Sequence, residues 1–156
     1  MYTPGEHEAE RASNSYLMSL AAALVGLPMP IVNLAATVFF AVANRRSTPF
    51  VRWHCTQALL GQLFLFPINA YAMWQTLGVL FGDAEATDFY LGYLLTAILW
   101  NLADTIATIY ASVQTRQGRH VRWFFFAELA DLLSPAYLQS GAGPVTNTLN
   151  PFARRP

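Results

Sequence analysis

The hydrophobic positions of this sequence form three long stretches in which charged side chains are almost absent. They cover residues 12–44, 53–82 and 89–115, and Asp104 is the one exception. A helix needs about 20 apolar residues to cross a bilayer, and soluble helices are rarely apolar on every side. The pattern therefore predicts an all-α integral membrane protein, a small helical bundle whose three membrane-spanning stretches are residues 16–43, 50–81 and 89–115.

The first stretch is interrupted at Gly26–Pro30, which contains both Pro28 and Pro30. Proline removes a backbone donor and disfavours helical geometry in the residue before it. We therefore expect two helical pieces, 16–25 and 31–43. They form either one kinked span, with the N-terminus outside, or a hairpin that enters the membrane and returns, with the N-terminus inside.

The connections between the stretches differ in the sign of their charge. Residues 44–52 and 116–122 carry arginines and no acid, whereas residues 82–88 carry acids and no base. By the positive-inside rule, a multi-pass protein of the bacterial inner membrane holds both arginine-rich loops in the cytoplasm and the acidic loop outside. Four arginines are expected to contact lipid headgroups: Arg45, Arg46, Arg119 and Arg122.

The C-terminal part of the chain divides into a helix and a tail. Residues 120–133 are apolar but contain Glu128 and Asp131, and two acids are costly in the middle of a bilayer. We predict an interfacial helix here, with a fourth span as the alternative. Residues 15–133 then form the membrane domain. It lies between a polar N-terminal segment, 1–14, and an extended tail, 134–156, whose composition offers little apolar surface to pack.

Composition narrows the range of functions. Of the 156 residues, 54% are hydrophobic and 12% are charged, whereas soluble domains average about 25% charged residues. The nine bases balance the nine acids, so no overall field attracts nucleic acid. Cys55 is the single thiol, and the scattered histidines form no known catalytic or metal-binding motif. The sequence therefore predicts no enzyme, cofactor, metal site or small-molecule substrate, and it indicates membrane lipids and other membrane protein subunits as partners.

Polar side chains inside the predicted spans form a layer. On the third span, spacings of three and four residues put five of them on one side of the helix: Asn101, Asp104, Thr105, Thr108 and Ser112. Counted from the basic loops, Asn33, Gln62 and Asp104 lie at similar depth, about 15–18 Å from the boundary. We predict that these three form a buried polar layer, with Asn101 further outward. Asp104 is either a protonatable functional acid or a hydrogen-bonded spacer that fixes helix packing.

One triplet occurs twice, as Val51-Arg52-Trp53 and as Val121-Arg122-Trp123. Each copy follows a basic turn and opens an apolar segment. Its arginine is placed to reach lipid phosphate, while its tryptophan anchors at the membrane boundary. Around the first copy we predict a cluster at the inner boundary, in which the last two residues share a helix face: Arg52, Trp53, His54 and Gln57.

The residues that open the second span carry a resemblance to a known family. An aromatic residue, Val, Arg, an aromatic residue and His occupy positions 50–54, and Gln57-Ala58 follows. This pattern resembles a bacterial family of small membrane proteins related to the twenty-kilodalton membrane component of the chloroplast inner-envelope protein import translocon. The resemblance covers residues 12–133. It implies four membrane helices and, through the plant relatives, a role in moving polypeptides, with no cofactor and no catalytic residue.

These predictions favour a non-catalytic scaffold or accessory subunit of a larger membrane protein complex, with the tail and the arginine-rich turns as docking surfaces. The alternative is a protein-translocation or transport component in which the polar side of the third span lines a path. A continuous polar lining open to both sides of the membrane favours transport. A dry, hydrogen-bonded layer favours the scaffold.

Overall fold

The computed structural model of the protein describes residues 4–25, 30–123 and 126–134. These residues form five helices and no strand: α1 (Glu6–Val25), α2 (Pro30–Ala43), α3 (Pro49–Phe81), α4 (Asp88–Arg116) and α5 (Ala127–Leu133). The prediction of an all-α protein is therefore confirmed for the part of the chain that the structure describes. α3 and α4 begin and end within one residue of the predicted stretches 50–81 and 89–115.

α3 and α4 are the two longest helices, with 33 and 29 residues. Both are long and apolar enough, by length and composition, to cross a membrane. Only 11% of the most apolar window in α3 and 17% of that in α4 is buried, whereas the core helix of a soluble protein is mostly buried. The apolar side chains of these two helices are therefore mostly exposed or half-buried.

The first apolar stretch forms a helical hairpin. α1 ends at Val25 and α2 begins at Pro30, on the two sides of the proline-containing break. The chain before α1 lies beside the end of α4, because a Cβ atom added to Gly118 would meet Cγ of Pro4 at 3.5 Å. α2 ends shortly before α3 begins. Both ends of the hairpin therefore lie at the end of the bundle that carries the arginine-rich loops, which we call the basic end.

Of the two arrangements that the sequence left open for residues 16–43, the structure has the returning one, with α1 and α2 packed against each other. Pro30 lacks the N–H group that would continue a helix from α1, but it fits the first position of α2, where that N–H needs no helical partner. α2 has 14 residues, fewer than the roughly 20 that a span needs.

α1 lies at the centre of the bundle, where it packs against α2, α3 and α4. Its buried side carries small residues, which let neighbouring helices approach closely: Ala9, Ala12, Ser13, Ser19 and Ala22. The charged side chains of Glu6, Glu10 and Arg11 are exposed. Because α1 begins at Glu6, residues 6–14 of the predicted polar segment belong to the same helix as residues 15–25. Small buried residues do not stand out in a hydrophobic pattern.

α4 ends in a turn that directs the following residues back towards α1 and α3. Gly118 has a φ of 75°, a left-handed conformation that glycine adopts without steric cost. The N–H groups of Gly118 and Arg119 donate to the carbonyl oxygens of Thr115 and Gln114 at 2.9 and 3.1 Å. These are the two bonds of a Schellman motif. Beyond it, residues 119–123 are not helical.

α5 has seven residues and packs against α3. Ala127 and Ala130 form its buried side, whereas its three leucines are exposed: Leu129, Leu132 and Leu133. A helix of this length extends about 10 Å, so α5 is no fourth span. Of the predicted interfacial helix over 120–133, the described residues are helical only within α5, because residues 120–123 are bound to other helices in a non-helical conformation. Of the predicted tail, residues 135–156 lie outside the described residues.

Candidate functional site

Four side chains at the basic end form a buried hydrogen-bonded group, which we call the histidine cluster. Its members are Tyr16 of α1, His54 and Gln57 of α3, and His120; the first three are 0% exposed and His120 is 4% exposed. The Tyr16 hydroxyl lies 2.8 Å from Nδ1 of His54. Nε2 of His54 lies 3.2 Å from Nδ1 of His120. The histidine cluster therefore joins three separate segments of the chain.

Gln57 holds the second copy of the repeated triplet by its backbone. Its Oε1 accepts the N–H of Trp123 at 3.1 Å, and its Nε2 donates to the carbonyl oxygen of Val121 at 3.2 Å. The side chain thus takes the place of a neighbouring backbone and satisfies two groups that the non-helical segment leaves without helical partners. We call these two bonds the Gln57 clamp.

The Gln57 clamp also fixes the direction of the hydrogen bonds in the histidine cluster. Because Oε1 of Gln57 is an acceptor, its Nε2 donates to the Tyr16 hydroxyl, at 2.9 Å. The Tyr16 O–H then donates to Nδ1 of His54, and the N–H at Nε2 of His54 donates to Nδ1 of His120. With these bond directions both imidazoles are neutral and carry their protons on Nε2. Protons on both Nδ1 atoms would leave the Tyr16 hydrogen without an acceptor among the described contacts.

Asp131 of α5 binds residues from both copies of the triplet. Its Oδ1 accepts the indole N–H of Trp53 at 2.8 Å, and its two oxygens accept from Nη1 and Nη2 of Arg122 at 3.3 and 2.5 Å. The Arg122 guanidinium lies 5.8 Å from the ring centre of Trp53, a distance at which cation–π attraction acts. This group, the Asp131 clasp, holds α5 against α3. The Arg122 guanidinium therefore binds Asp131 and Trp53 of the same chain, and its predicted lipid contact stays a prediction.

Burial keeps His120 neutral. Its pKa is lowered to about 3, mainly because removal from water penalises the charged imidazolium and secondly because Arg122 is close, while Asp131 acts in the opposite direction. A neutral ring is what an acceptor at Nδ1 requires. The hydrogen-bond geometry and the electrostatics of His120 therefore agree.

The residues of the predicted buried polar layer lie together deeper in the bundle. Nδ2 of Asn33 in α2 donates to Oε1 of Gln62 in α3 at 2.5 Å, and Nε2 of Gln62 donates to Oδ2 of Asp104 in α4 at 3.4 Å. Asn33 and Gln62 are buried and Asp104 is half-buried. Gly61 makes room beside this layer, because a Cβ atom there would lie 3.1 Å from Cζ3 of Trp123 and 3.7 Å from Oδ1 of Asp104.

Further polar pairs join α4 to its neighbours. Asn69 of α3 and Asn101 of α4 exchange two amide hydrogen bonds, at 3.0 and 2.6 Å. The Ser13 hydroxyl of α1 donates to the Ser112 carbonyl oxygen at 2.9 Å. Three of the five polar side chains predicted on one side of the third span therefore bind other helices: Asn101, Asp104 and Ser112.

The remaining predicted site residues lie at the basic end. Arg45 and Arg46 are exposed, Arg119 is exposed with its Nη1 donating to Oε1 of Gln114 at 3.0 Å, and Arg52 is half-buried. Lipid contact stays a prediction for the three exposed arginines. Tyr16 and His120 are absent from the predicted set. A signal was present for each, because a tyrosine or histidine in an apolar segment needs a hydrogen-bond partner when it is buried.

These clusters hold the helices of the bundle together by packing and hydrogen bonding. In the described ranges, no group of three or more His, Cys, Asp or Glu side chains could hold a metal ion. Each of the clusters above connects at least two segments that are distant in sequence. The histidine cluster and the Asp131 clasp hold the C-terminal segment, whereas the polar layer and the amide pair connect the longer helices.

Comparison with known proteins gives one match. A family model described as the magnetosome magnetite crystal formation protein family, MamF/MmsF, matches residues 12–129. Searches of curated proteins and of solved structures found no significant match.

The resemblance to the translocon-related family is therefore wrong, and with it the implied role in moving polypeptides. That resemblance depended on a few positions between Phe50 and Ala58. In the structure, the polar residues of this motif bind other segments of the same chain, His54 through Tyr16 and His120. Such a motif reflects packing at the start of a helix and carries less weight than a match over most of the chain. The chain belongs to the magnetosome magnetite crystal formation protein family, MamF/MmsF.

Proposed function

We propose that this protein is a non-catalytic membrane scaffold or accessory subunit that takes part in magnetite crystal formation. The observation that carries the proposal, beside the family, is that polar side chains of the bundle bind each other across helices. Asn33, Gln62 and Asp104 connect α2, α3 and α4, and Asn69 binds Asn101 in both directions. Paired polar groups of this kind fix how membrane helices pack.

Membrane insertion is part of the proposal. α3 and α4 would cross the bilayer, and the hairpin of α1 and α2 would enter from the basic end and return to it. The positive-inside rule puts the arginine-rich loops 44–52 and 116–122 in the cytoplasm and the acidic loop 82–88 on the opposite side of a bacterial inner membrane or a membrane derived from it. The N-terminus is then cytoplasmic.

The partners proposed are other membrane protein subunits and lipids. At the basic end, Arg45, Arg46 and Arg119 are exposed and available to phosphate groups, which arginine binds through two parallel hydrogen bonds. The exposed apolar side chains of α3 and α4 offer surfaces for lipid or for the spans of a partner subunit. The function would then be to hold a membrane assembly together during mineral growth.

Deletion of the gene in a magnetite-forming bacterium that encodes this chain tests the role in crystal formation. We expect smaller or fewer crystals in electron micrographs, and recovery when the wild-type gene is returned at its own locus. Unchanged crystal size and number in the deletion strain would contradict the role.

A pair of variants separates a scaffold from a transport path. Asn101→Leu alone leaves the Asn69 amide without its partner, and we expect it to lower stability by about 1 kcal/mol. The double variant Asn69→Leu, Asn101→Leu replaces a polar pair by an apolar one. A scaffold should retain full crystal size with the double variant, whereas a polar path should lose function although the protein is folded and present at normal amounts.

Purification from native membranes in a gentle detergent tests for partners. We expect a stoichiometric membrane protein to copurify with the tagged full chain, and the same purification without residues 135–156 tests the predicted docking role of the tail. Recovery of the full chain alone or only as a homo-oligomer would contradict an accessory subunit.

A further inference from the structure

Two imidazoles from distant parts of the chain are buried against each other at the basic end. His54 in the second turn of α3 and His120 after α4 are separated by 3.2 Å between Nε2 and Nδ1. On its other side, His54 accepts from the hydroxyl of Tyr16. Tyr16, His54 and His120 therefore form a chain of hydrogen bonds in which both rings are neutral. The role of the protein as a scaffold does not require titratable groups at this position.

We propose that His54 and His120 form an acid-sensitive latch that fastens residues 119–123 to α1 and α3 and releases them when the pH falls. In the closed latch both rings are neutral and the backbone of residues 121–123 is held by the Gln57 clamp. In the open latch residues 119–123 leave the bundle and both rings meet water.

Protonation disturbs the hydrogen-bond order of the closed latch, because it puts three protons in two contacts. A proton added to His120 at Nδ1 would oppose the N–H of His54 at 3.2 Å, so two donors would face each other. A proton added to His54 at Nδ1 would likewise oppose the hydroxyl hydrogen of Tyr16 at 2.8 Å. In the open latch each imidazolium donates to water instead. Protons therefore bind the open latch more strongly than the closed one, and by linkage they favour opening.

Other titratable and charged side chains lie near the two rings. α1 contributes Tyr16 and α3 contributes Cys55 beside His54; phenols and thiols ordinarily lose a proton only above pH 7.5. The segment after α4 contributes Arg122, which forms an ion pair with Asp131 of α5. α4 packs here through Ala111 and Tyr110. Imidazole is the side-chain type among these whose ordinary pKa lies between pH 7.5 and 5.

The number of imidazoles that gain a proton when the latch opens sets how steeply the opening constant depends on pH. An imidazole in water has an ordinary pKa of about 6.5. Below that pH, each ring that is neutral when closed and charged when open raises the opening constant about tenfold per pH unit. Two rings together raise it up to about a hundredfold per pH unit. The latch is therefore closed most firmly above pH 6.5 and loses stability as the pH falls below it.

Hydrogen exchange of the Trp123 amide measures the opening, because this N–H is bonded to Oε1 of Gln57 at 3.1 Å in the closed latch. The full-length protein is studied in lipid nanodiscs from pH 7.5 to 5. The opening constant is the measured exchange rate divided by the intrinsic rate of the same amide at that pH. We expect it to rise steeply below pH 6.5, approaching a hundredfold per unit, while amides in the middle of α4 show no such rise.

Two variants assign the response to its groups. His120→Asn supplies a carbonyl oxygen near the position of Nδ1 and removes one titration, so the rise should fall to about tenfold per unit. His7→Gln is the control, because His7 is exposed and should leave the response unchanged. A constant that varies less than twofold from pH 7.5 to 5, or an equally steep rise with His120→Asn, overturns the proposal.

A measurement on the wild-type protein tests the latch even where the His120→Asn variant fails to fold. The ¹⁵N chemical shifts of the imidazoles report which nitrogen carries the proton. At pH 7.5 we expect both buried rings to carry it on Nε2 and to remain neutral. A proton on Nδ1 of His54 or His120 contradicts the hydrogen-bond order on which the latch depends.

Discussion

Replacement of Gln57 by leucine removes the Gln57 clamp and leaves the side chain close to its original size. Gln57 is fully buried and makes three hydrogen bonds, to the Tyr16 hydroxyl, the Val121 carbonyl oxygen and the Trp123 N–H. Leucine makes none of them. The substitution therefore tests whether this one amide holds the segment after α4 in position.

The size of the loss follows from the groups that Gln57→Leu leaves without a partner. Val121 is 1% exposed and Trp123 is 8% exposed, so water has little access to their backbone groups. Each buried donor or acceptor that loses its bond costs about 1–3 kcal/mol. The Tyr16 hydroxyl retains His54 and contributes little. We therefore expect the free energy of unfolding to fall by about 2–6 kcal/mol, the sum for two groups.

Equilibrium unfolding in mixed detergent micelles, with increasing SDS and helix content read by circular dichroism, measures this loss. The control is Gln75→Leu in the same helix. Nε2 of Gln75 donates to the Tyr71 hydroxyl at 2.8 Å in an exposed pair, so we expect a change within about 0.5 kcal/mol. If Gln57→Leu costs no more than Gln75→Leu, the Gln57 clamp does not stabilise the bundle and the reasoning from buried partners is refuted.

Three other substitutions have expected outcomes in the same assay. Gly61→Ala puts a Cβ atom 3.1 Å from Cζ3 of Trp123 and should cost about 1–3 kcal/mol through overpacking. Gly92→Ala meets nothing within 4 Å and should be neutral or stabilise α4 by up to about 1 kcal/mol; an equal loss for both would show that close packing at α3 is not the cause. Asp131→Asn removes the ion pair with Arg122 and should cost about 1–3 kcal/mol, and a loss no larger than that of Glu128→Gln, at an exposed acid of the same helix, would contradict a role of the ion pair.

The two long helices could be predicted from the sequence because local signals and hydrophobic pattern coincide there. α3 begins at Pro49 after Thr48 and ends beside Gly82, so a helix-starting proline and a terminal glycine bound the apolar run. α4 begins after Thr87, whose side chain accepts the N–H of Tyr90 at 3.2 Å. Such signals act within a few residues, and sequence contains them directly.

The direction of the hairpin could not be derived in the same way. The prolines predict where α1 ends and α2 begins, but the same break permits a kink or a reversal. The choice depends on packing, because α1 inserts a side of small residues such as Ala12 and Ser13 between α3 and α4. Alanine and serine contribute little to a hydrophobic pattern. The charged residues Glu6 and Arg11 therefore make the start of α1 look polar in the sequence, although the opposite side of this helix is buried.

The candidate site was predictable as a layer of residues but not as a set of bonds. Depth along the spans grouped Asn33 with Gln62 and Asp104, because helical rise converts sequence distance into depth. Depth along a span does not predict the contacts of segments that lie outside the spans. The partner of Arg122 is Asp131 in a different element, and a local view of arginine beside a membrane favours lipid instead.

The repeated triplet shows how sequence similarity and physical contact are related in this fold. In both copies the valine and tryptophan are buried, so each copy anchors the start of its segment. The helix that contains the first copy also supplies Gln57, which binds the backbone of the second copy, and Trp53 of the first copy shares Asp131 with Arg122 of the second. Because these bonds go to backbone atoms and to a shared carboxylate, the two triplets depend on each other, and loss of Gln57 or Asp131 should loosen both.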